Sequence, residues 1–521
     1  MIKKLYSLSF LFGCIYAFGF PIFGTKISFL SAPILAFAGF FYLLILADTK
    51  SHVFVFCTLF SLGFYSVGFY WLPHTITEFG QIPFPINHII GLHSIFVLTP
   101  HIFIFGILHY FLRKKIPSND LGNFLFSILF ISLQYSIPQL FSAYPGHSWI
   151  KLAPYLFPAT IFGEYIFSFV SILLSFEICF ILRKKRVNHF NLGLVLILIA
   201  SCFIPINTTN LEKTRIKVRI AQANIGNNAK LSAEKGLPNS VDSVLATYKN
   251  VSLTPPASDT DLIVWPETAF PYSISPKTLT SPSNLLPQVF QEIMRVSKSD
   301  VFFGGYLLDT NANNNQTFNS AFFVEREGAM SVYNKNKLLP FGESLPFTKS
   351  INSAIYQLVP GISFFSESNK TTLFNSITKK GKPYSFLGFI CYEALAPTLL
   401  RKHINSLSSV PNFLINLTND SWYGNTSEPE QHLFLSRWRS VEFGLPMIRS
   451  ANTGISSFIS SRGLELKRSS IDKIMNLEYE MKYNPSTQKT IYLIWGSTPF
   501  ICLIFGISSI LLFLQRKTFF K

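Results

Sequence analysis

The sequence predicts a multi-span helical membrane domain joined to an α/β domain, and three observations predict it. Long apolar runs fill the chain from Met1 to about Asn207 and return after residue 490. Short basic clusters sit at the ends of alternate runs. From Leu211 to about Gln488, strand-like and helix-like stretches alternate, and several strands stop at a polar residue. That is the pattern of an α/β domain with working groups at its strand ends.

A membrane-spanning helix needs roughly 20 apolar residues. Eight stretches meet the requirement, near 5–22, 27–47, 53–72, 87–112, 121–141, 160–182, 190–207 and 490–514. The 49% hydrophobic content and 55 phenylalanines of the 521 residues agree with that reading. Three domains follow: 1–210 with seven spans, 211–488 as the α/β domain, and 489–521 with the eighth span and a short tail. Lys3 and Lys4 precede the first span, Lys50 follows the second, Arg113 to Lys115 the fourth, Arg183 to Arg186 the sixth and Arg516-Lys517 the eighth. Positive residues stay on the cytoplasmic side, so both termini are expected inside and residues 211–488 outside. The net charge of +17 is therefore topological. Nucleic-acid binding is excluded as its explanation, because the basic residues cap helices and form no stripe interleaved with aromatics. The first apolar run continues past Cys14 to Phe20, and bulky Phe12 does not suit a cleavage site, so an uncleaved first span is expected.

Two outer loops are rich in aromatics: Tyr70 to His74, and Ser142 to Trp149. Such residues anchor helices at the interface. Trp149 is also a candidate floor for a lipid-facing site. Glu164 and Glu177 fall in or near the sixth span, where carboxylates are functional candidates, although Glu164 can equally sit at the interface. The ten histidines show no ligand spacing, so no metal is expected.

In the α/β domain, Val218 to Ile225 reads as the opening strand. Asp261 to Val264 is a short strand ending at Trp265-Pro266-Glu267. Asp300 to Tyr306 is another, before the Asn-rich turn 311–315. Asn319 to Glu325 and Met330 to Tyr333 form a hairpin around Glu327-Gly328, and Phe413 to Leu417 is a strand ending at Thr418 to Gly424. Ile351 to Thr372 carries few structural signals and is a candidate arm. The run Tyr384 to Ile390 enters Cys391, and helical spacing begins at Ala394. Cys391 is thus presented on a strand-to-helix turn. It is the one cysteine of six outside the apolar spans, so no disulfide can form within this domain.

A lone thiol at the end of a buried strand is more often an inert core group than a nucleophile. Glu267 and Lys335 change the balance, since both also emerge at strand ends. A carboxylate can take the thiol proton, and an ammonium favours the thiolate and can hold an oxyanion.

Around these residues, Val264 to Ala269, Tyr333 to Glu343 and Gly388 to Glu393 resemble the three motifs of the nitrilase superfamily. Asn419 to Gly424, Arg439 to Glu442 and Arg449 to Gly454 extend the likeness. With eight spans, the whole chain is similar to the bacterial apolipoprotein N-acyltransferase family. The resemblance implies an αββα sandwich for the α/β domain and a ping-pong acyl transfer. Cys391 attacks a phospholipid ester, such as that of phosphatidylethanolamine, with Glu267 as general base and Lys335 holding the oxyanion. The acyl chain then passes to the amine of a diacylglyceryl-cysteine apolipoprotein. Glu343 supports Lys335, while Tyr392 and Glu393 shape the pocket. It further implies a monomer without cofactor, in the inner membrane with its catalytic domain in the periplasm. One departure is Leu231 after Lys230, where the family often has tryptophan.

Phe341, Phe364, Phe365, Trp422 and Tyr423 lie in loops flanking the catalytic strand ends. They are expected to contact acyl chains and keep water from a thioester, although any one of them could be a plain core anchor. Two other classes stay open: a membrane-tethered amidase sharing the triad, and a non-enzymatic lipid carrier, which would leave the triad unexplained.

Overall fold

The computed structural model describes residues 2–116, 118–204, 214–310, 316–345, 352 and 365–519. The Asn-rich turn 311–315 and most of the expected arm, Phe364 included, lie outside them.

Thirteen strands among these residues make two sheets. They are β1 Thr214–Gln222, β2 Leu262–Val264, β3 Ser273–Ile274, β4 Asp300–Asp309, β5 Gln316–Val324, β6 Met330–Asn334, β7 Leu373–Ile377, β8 Pro383–Ile390, β9 Phe413–Thr418, β10 Met447–Ala451, β11 Ser457–Ile459, β12 Glu465–Arg468 and β13 Met475–Tyr483. The first sheet runs β13-β1-β2-β4-β5-β6 with β3 on β4, and the second β12-β11-β10-β9-β8-β7. In the first, β1, β2 and β4 are parallel, and two antiparallel steps through β5 bring β6 back to their direction. In the second, β8, β9 and β10 are parallel. Residues that follow β2 and β6 therefore leave one sheet at the same edge, and those that follow β8 and β9 leave the other likewise.

The side-chain period of two sorts each strand between layers. In β4, Phe302 enters the core between the sheets with Phe323, Phe386 and Ile415. Its neighbours Val301 and Phe303 turn to the helices Pro238–Leu253 and Gln288–Ser297. Leu387 and Phe389 of β8 face the helices Pro397–Ser406 and Glu428–Phe443. The result is the αββα sandwich. Gly388 lets the sheets approach, since a Cβ there would lie 2.5 Å from the Phe302 ring.

Helices stand on all eight apolar stretches, but several are shorter than expected or broken. Among the described residues, only Lys50–Gly68 and Tyr165–Lys184 are long and apolar enough to cross a membrane singly; Ile86–Leu98 with Pro100–Leu112 passes as a pair bent by 52°. Pro100 causes the bend, lacking an amide and crowding the preceding turn. The fifth stretch ends at Ser136, before Pro138, where a helix cannot easily continue. Gly163 and Gly496, both at positive φ, split the sixth and eighth into a short helix and a longer one.

The helix Glu428–Phe443 locks the two parts together. Leu433 and Phe443 pack on the second sheet, while Phe434, Leu435, Trp438 and Val441 join the core of the bundle. Trp438 Nε1 donates to the His147 carbonyl at 3.1 Å, and Gln431 Nε2 to the Pro21 and Gly68 carbonyls at 2.9 and 3.0 Å.

Candidate active site

The parallel edges converge on one cavity. Glu267 follows β2, Lys335 follows β6 and Cys391 follows β8, and all three line a space of about 560 Å³. Lys335 Nζ lies 3.2 Å from Glu267 Oε1 and 2.8 Å from Glu343. Asn319 of β5 bridges the carboxylates, its Nδ2 donating to Glu267 at 2.8 Å and to Glu343 at 2.9 Å. Glu267 Oε2 accepts from the Asn419 amide at 2.9 Å, and Glu343 Oε2 from the Leu339 amide at 2.8 Å. Each carboxylate is thus fixed from two sides, and the ammonium lies between them.

Electrostatics follow from this packing. Burial alone would lower the Lys335 ammonium, but the Glu267 and Glu343 carboxylates outweigh it and raise its pKa. The Lys335 side chain therefore stays charged. Burial pushes the Cys391 thiol well above its ordinary value, the Glu267 charge adds to this, and Lys335 opposes both. Cys391 is therefore held as a thiol rather than as a standing thiolate.

Cys391 begins a 3₁₀ turn, Cys391–Leu395, and the α-helix starts only at Pro397, later than the helical spacing suggests. The cysteine itself has φ +50°, a conformation that costs a non-glycine residue about 1–3 kcal/mol. Glu393 holds the turn. Its Oε2 accepts from the Ile390 amide at 2.7 Å, and its Oε1 from Tyr333 Oη and the Asn336 amide, each at 2.7 Å, and from the Lys337 amide at 3.1 Å. This fully buried carboxylate ties the Cys391 turn to the loop that carries Lys335.

Of the other expected residues, Trp422 and Tyr423 line the cavity with Phe365. Trp422 stacks on Phe79 of the bundle at 4.4 Å, with Lys230 over its ring at 5.7 Å. Leu231 lines the same wall. Phe341 is 46% exposed in the flanking loop, and its neighbour Gly342 reaches the cavity. Two residues are placed elsewhere. Tyr392 turns away from the cavity and donates to the Leu140 carbonyl at 2.6 Å, pinning the turn to the bundle. Trp149 lies in the bundle core, its Nε1 on Ser171 at 2.8 Å; a buried indole follows its hydrogen-bond partner.

The sequence reading gives Asn319 no role, and it quotes Asn419, Asp420 and Arg449 as motif residues without the contacts that they make. Asp420 pairs with Arg449 at 3.0 Å and lies 3.4 Å from His432. Burial would raise the Asp420 carboxyl, but Arg449 and His432 hold it down at about 2. Asp420, Glu428 and His432 come within ligand distance of one another, but the Arg449 guanidinium already satisfies Asp420.

Gly304 of β4 backs the Glu267 turn: a Cβ there would lie 2.5 Å from the Pro266 carbonyl and the Thr268 amide. Gly304→Ala should therefore displace Glu267 and cut turnover by roughly 100-fold, as small misplacements of a catalytic group do. Steady-state rates beside a melting curve check this, and unchanged turnover would mean that the turn is not held there.

Comparison with known proteins places these residues in context. The carbon-nitrogen hydrolase family model matches residues 217–498, and the model for the apolipoprotein N-acyltransferase N-terminal domain matches residues 12–176. The apolipoprotein N-acyltransferase of Bdellovibrio bacteriovorus is 28% identical over 466 residues, covering 85% of this chain and 83% of that protein. The one from Haemophilus ducreyi is 27% identical and covers 96% of both. Among solved structures, an amidase from Nesterenkonia aligns with 53% of this chain and 94% of its own at 12% identity and a TM-score of 0.35.

Proposed function

The chain belongs to the carbon-nitrogen hydrolase family, and from this premise we propose that it transfers an acyl chain from a phospholipid to the N-terminal amine of a diacylglyceryl apolipoprotein. It is a membrane acyltransferase. The observation that carries the reading is the convergence of Glu267, Lys335 and Cys391 in one cavity walled partly by the bundle.

The steps follow from the geometry. Glu267 takes the Cys391 proton as the sulfur attacks the ester carbonyl of the donor, for which phosphatidylethanolamine is the proposed lipid. The raised thiol pKa means that the proton leaves during attack, not before it. Lys335 stabilises the tetrahedral oxyanion, held in place by Glu343 and Asn319. Collapse breaks the ester C–O bond, and Glu267 returns its proton to the departing lysophospholipid alkoxide. The acceptor amine then attacks the Cys391 thioester, Glu267 takes an amine proton, and the amide forms as the sulfur leaves and is reprotonated. An acyl donor and an acyl acceptor using one site in turn make a ping-pong scheme.

We propose eight spans, with domains 1–210, 211–488 and 489–521, both termini cytoplasmic and the catalytic domain periplasmic, in a monomer of the bacterial inner membrane. The basic clusters at Arg113 to Lys115 and Arg183 to Arg186 support that orientation. Trp422, Tyr423, Phe365 and Phe341 are proposed to meet the acyl chains. The full chain in mixed micelles with labelled phosphatidylethanolamine and a diacylglyceryl peptide should yield N-acylated peptide and lysolipid in equal amounts. Free fatty acid without acylated peptide would refute transfer and point to a hydrolase.

A further inference from the structure

A second cavity, of about 280 Å³, lies behind the nucleophile turn and shares no lining residue with the catalytic one. Its lining includes residues 394–399, so the first residues of the helix Pro397–Ser406 form one wall. This ten-residue helix has no side-chain cap. The leading amides of such a helix are unbonded by its own turns and carry partial positive charge.

Arg439 forms another part of the lining and is 3% exposed. Its Nη2 lies 2.9 Å from Glu442, whereas its Nε and Nη1 have no hydrogen-bond partner among the described residues. Buried donors left unmet cost about 1–3 kcal/mol each. Lys337 lines the same cavity, with its ammonium 5.3 Å over the Tyr392 ring. Of the carboxylates facing the space, Glu442 lies 2.9 Å from Nη2 and accepts from the Glu164 amide at 3.1 Å, and Glu164 is turned to Ser168 and Tyr135. Neither takes up the two free edges of the guanidinium.

We propose that this cavity is a binding site for a phosphate-type oxyanion, held by the Arg439 fork, Lys337 and the start of the helix Pro397–Ser406. A guanidinium presents paired donors to such a group, and a helix start adds directed amides. Its ligand is a phosphate monoester or diester, carried by a lipid headgroup or free in solution.

The test is a ³¹P NMR titration of the full chain in maltoside micelles, with inorganic phosphate in one arm and glycerophosphoethanolamine in the other. Saturable binding is expected, weakened at least about tenfold by Lys337→Gln and by Thr398→Glu. The new carboxylate of the second variant competes at the helix start, where it favours the helix, so folding is preserved. Arg439→Lys keeps the charge but loses the fork, and should weaken binding as well. Stronger binding of glycerophosphoethanolamine identifies a lipid headgroup as the source, and equal binding identifies free phosphate; both support the site. No saturable binding in either arm, or undiminished affinity in both Lys337→Gln and Thr398→Glu, would overturn it. The readout needs no acyl transfer, so it succeeds or fails separately from the proposed reaction.

Discussion

Cys391→Ala is expected to abolish acyl transfer, a loss on the scale of the roughly million-fold seen when a protease nucleophile is removed. The protein should still fold. Alanine accepts φ +50° no worse than cysteine does, and the turn is held by Glu393 through backbone amides and Tyr333, not through the sulfur. Cys391→Ser should be nearly as inactive, since a hydroxyl in the same buried place is a harder proton to remove than a thiol. The measurement is acylated peptide formed per unit time, beside a melting curve for each variant. Substantial turnover by the alanine variant would remove covalent catalysis from the account.

Changes at Glu267 and Lys335 should be nearly as damaging, and their stability effects should differ. Glu267→Gln keeps the shape but removes the proton acceptor, for a loss of about 100- to 10,000-fold. Its amide must also face the donors on Asn319 and Lys335, which now meet a carboxylate. Lys335→Met removes the oxyanion holder, on the order of 3 kcal/mol of the barrier. It also strands Glu267 and Glu343 as buried, unpaired carboxylates, and breaking a buried pair costs about 3–5 kcal/mol of stability. Adding Glu343→Gln to Lys335→Met should restore part of the melting temperature and none of the rate. If the double variant regained activity with its stability, Lys335 would be a structural cation only.

Much of the site could be read from residue order, for a physical reason. A strand that ends in a polar residue presents it at the sheet edge, so Glu267, Lys335 and Cys391 announced themselves one at a time. The residues that hold them did not. Asn319 lies inside a strand, where a polar side chain facing a site looks like one facing water. Asn419 acts through its backbone amide, which leaves no mark in sequence. Trp149 reads as pocket floor because aromatics suit lipids, and Tyr392 as pocket wall through the family resemblance next to Cys391, but their polar tips follow Ser171 and the Leu140 carbonyl into the bundle. The helix Glu428–Phe443 carries Glu, Gln, His and Arg along its length, as an exposed helix would. It is buried nearly all round, and part of its polar content finds partners, such as Gln431 on two bundle carbonyls and Glu430 on Arg468. The apolar helices were visible as hydropathy, while the breaks at Pro100, Gly163 and Gly496 depend on single residues that hydropathy averages away.

The central claim is that the acyl chain resides on Cys391 between donor and acceptor. Intact-protein mass spectrometry of the full chain, incubated with phospholipid and no acceptor, tests it directly. The protein should gain the mass of one fatty acid less water, localised to the peptide bearing Cys391 and released by hydroxylamine. The adduct should vanish when a diacylglyceryl peptide is added, as acylated peptide appears. An active enzyme with no such adduct, or with an adduct that persists while product accumulates, would contradict the mechanism.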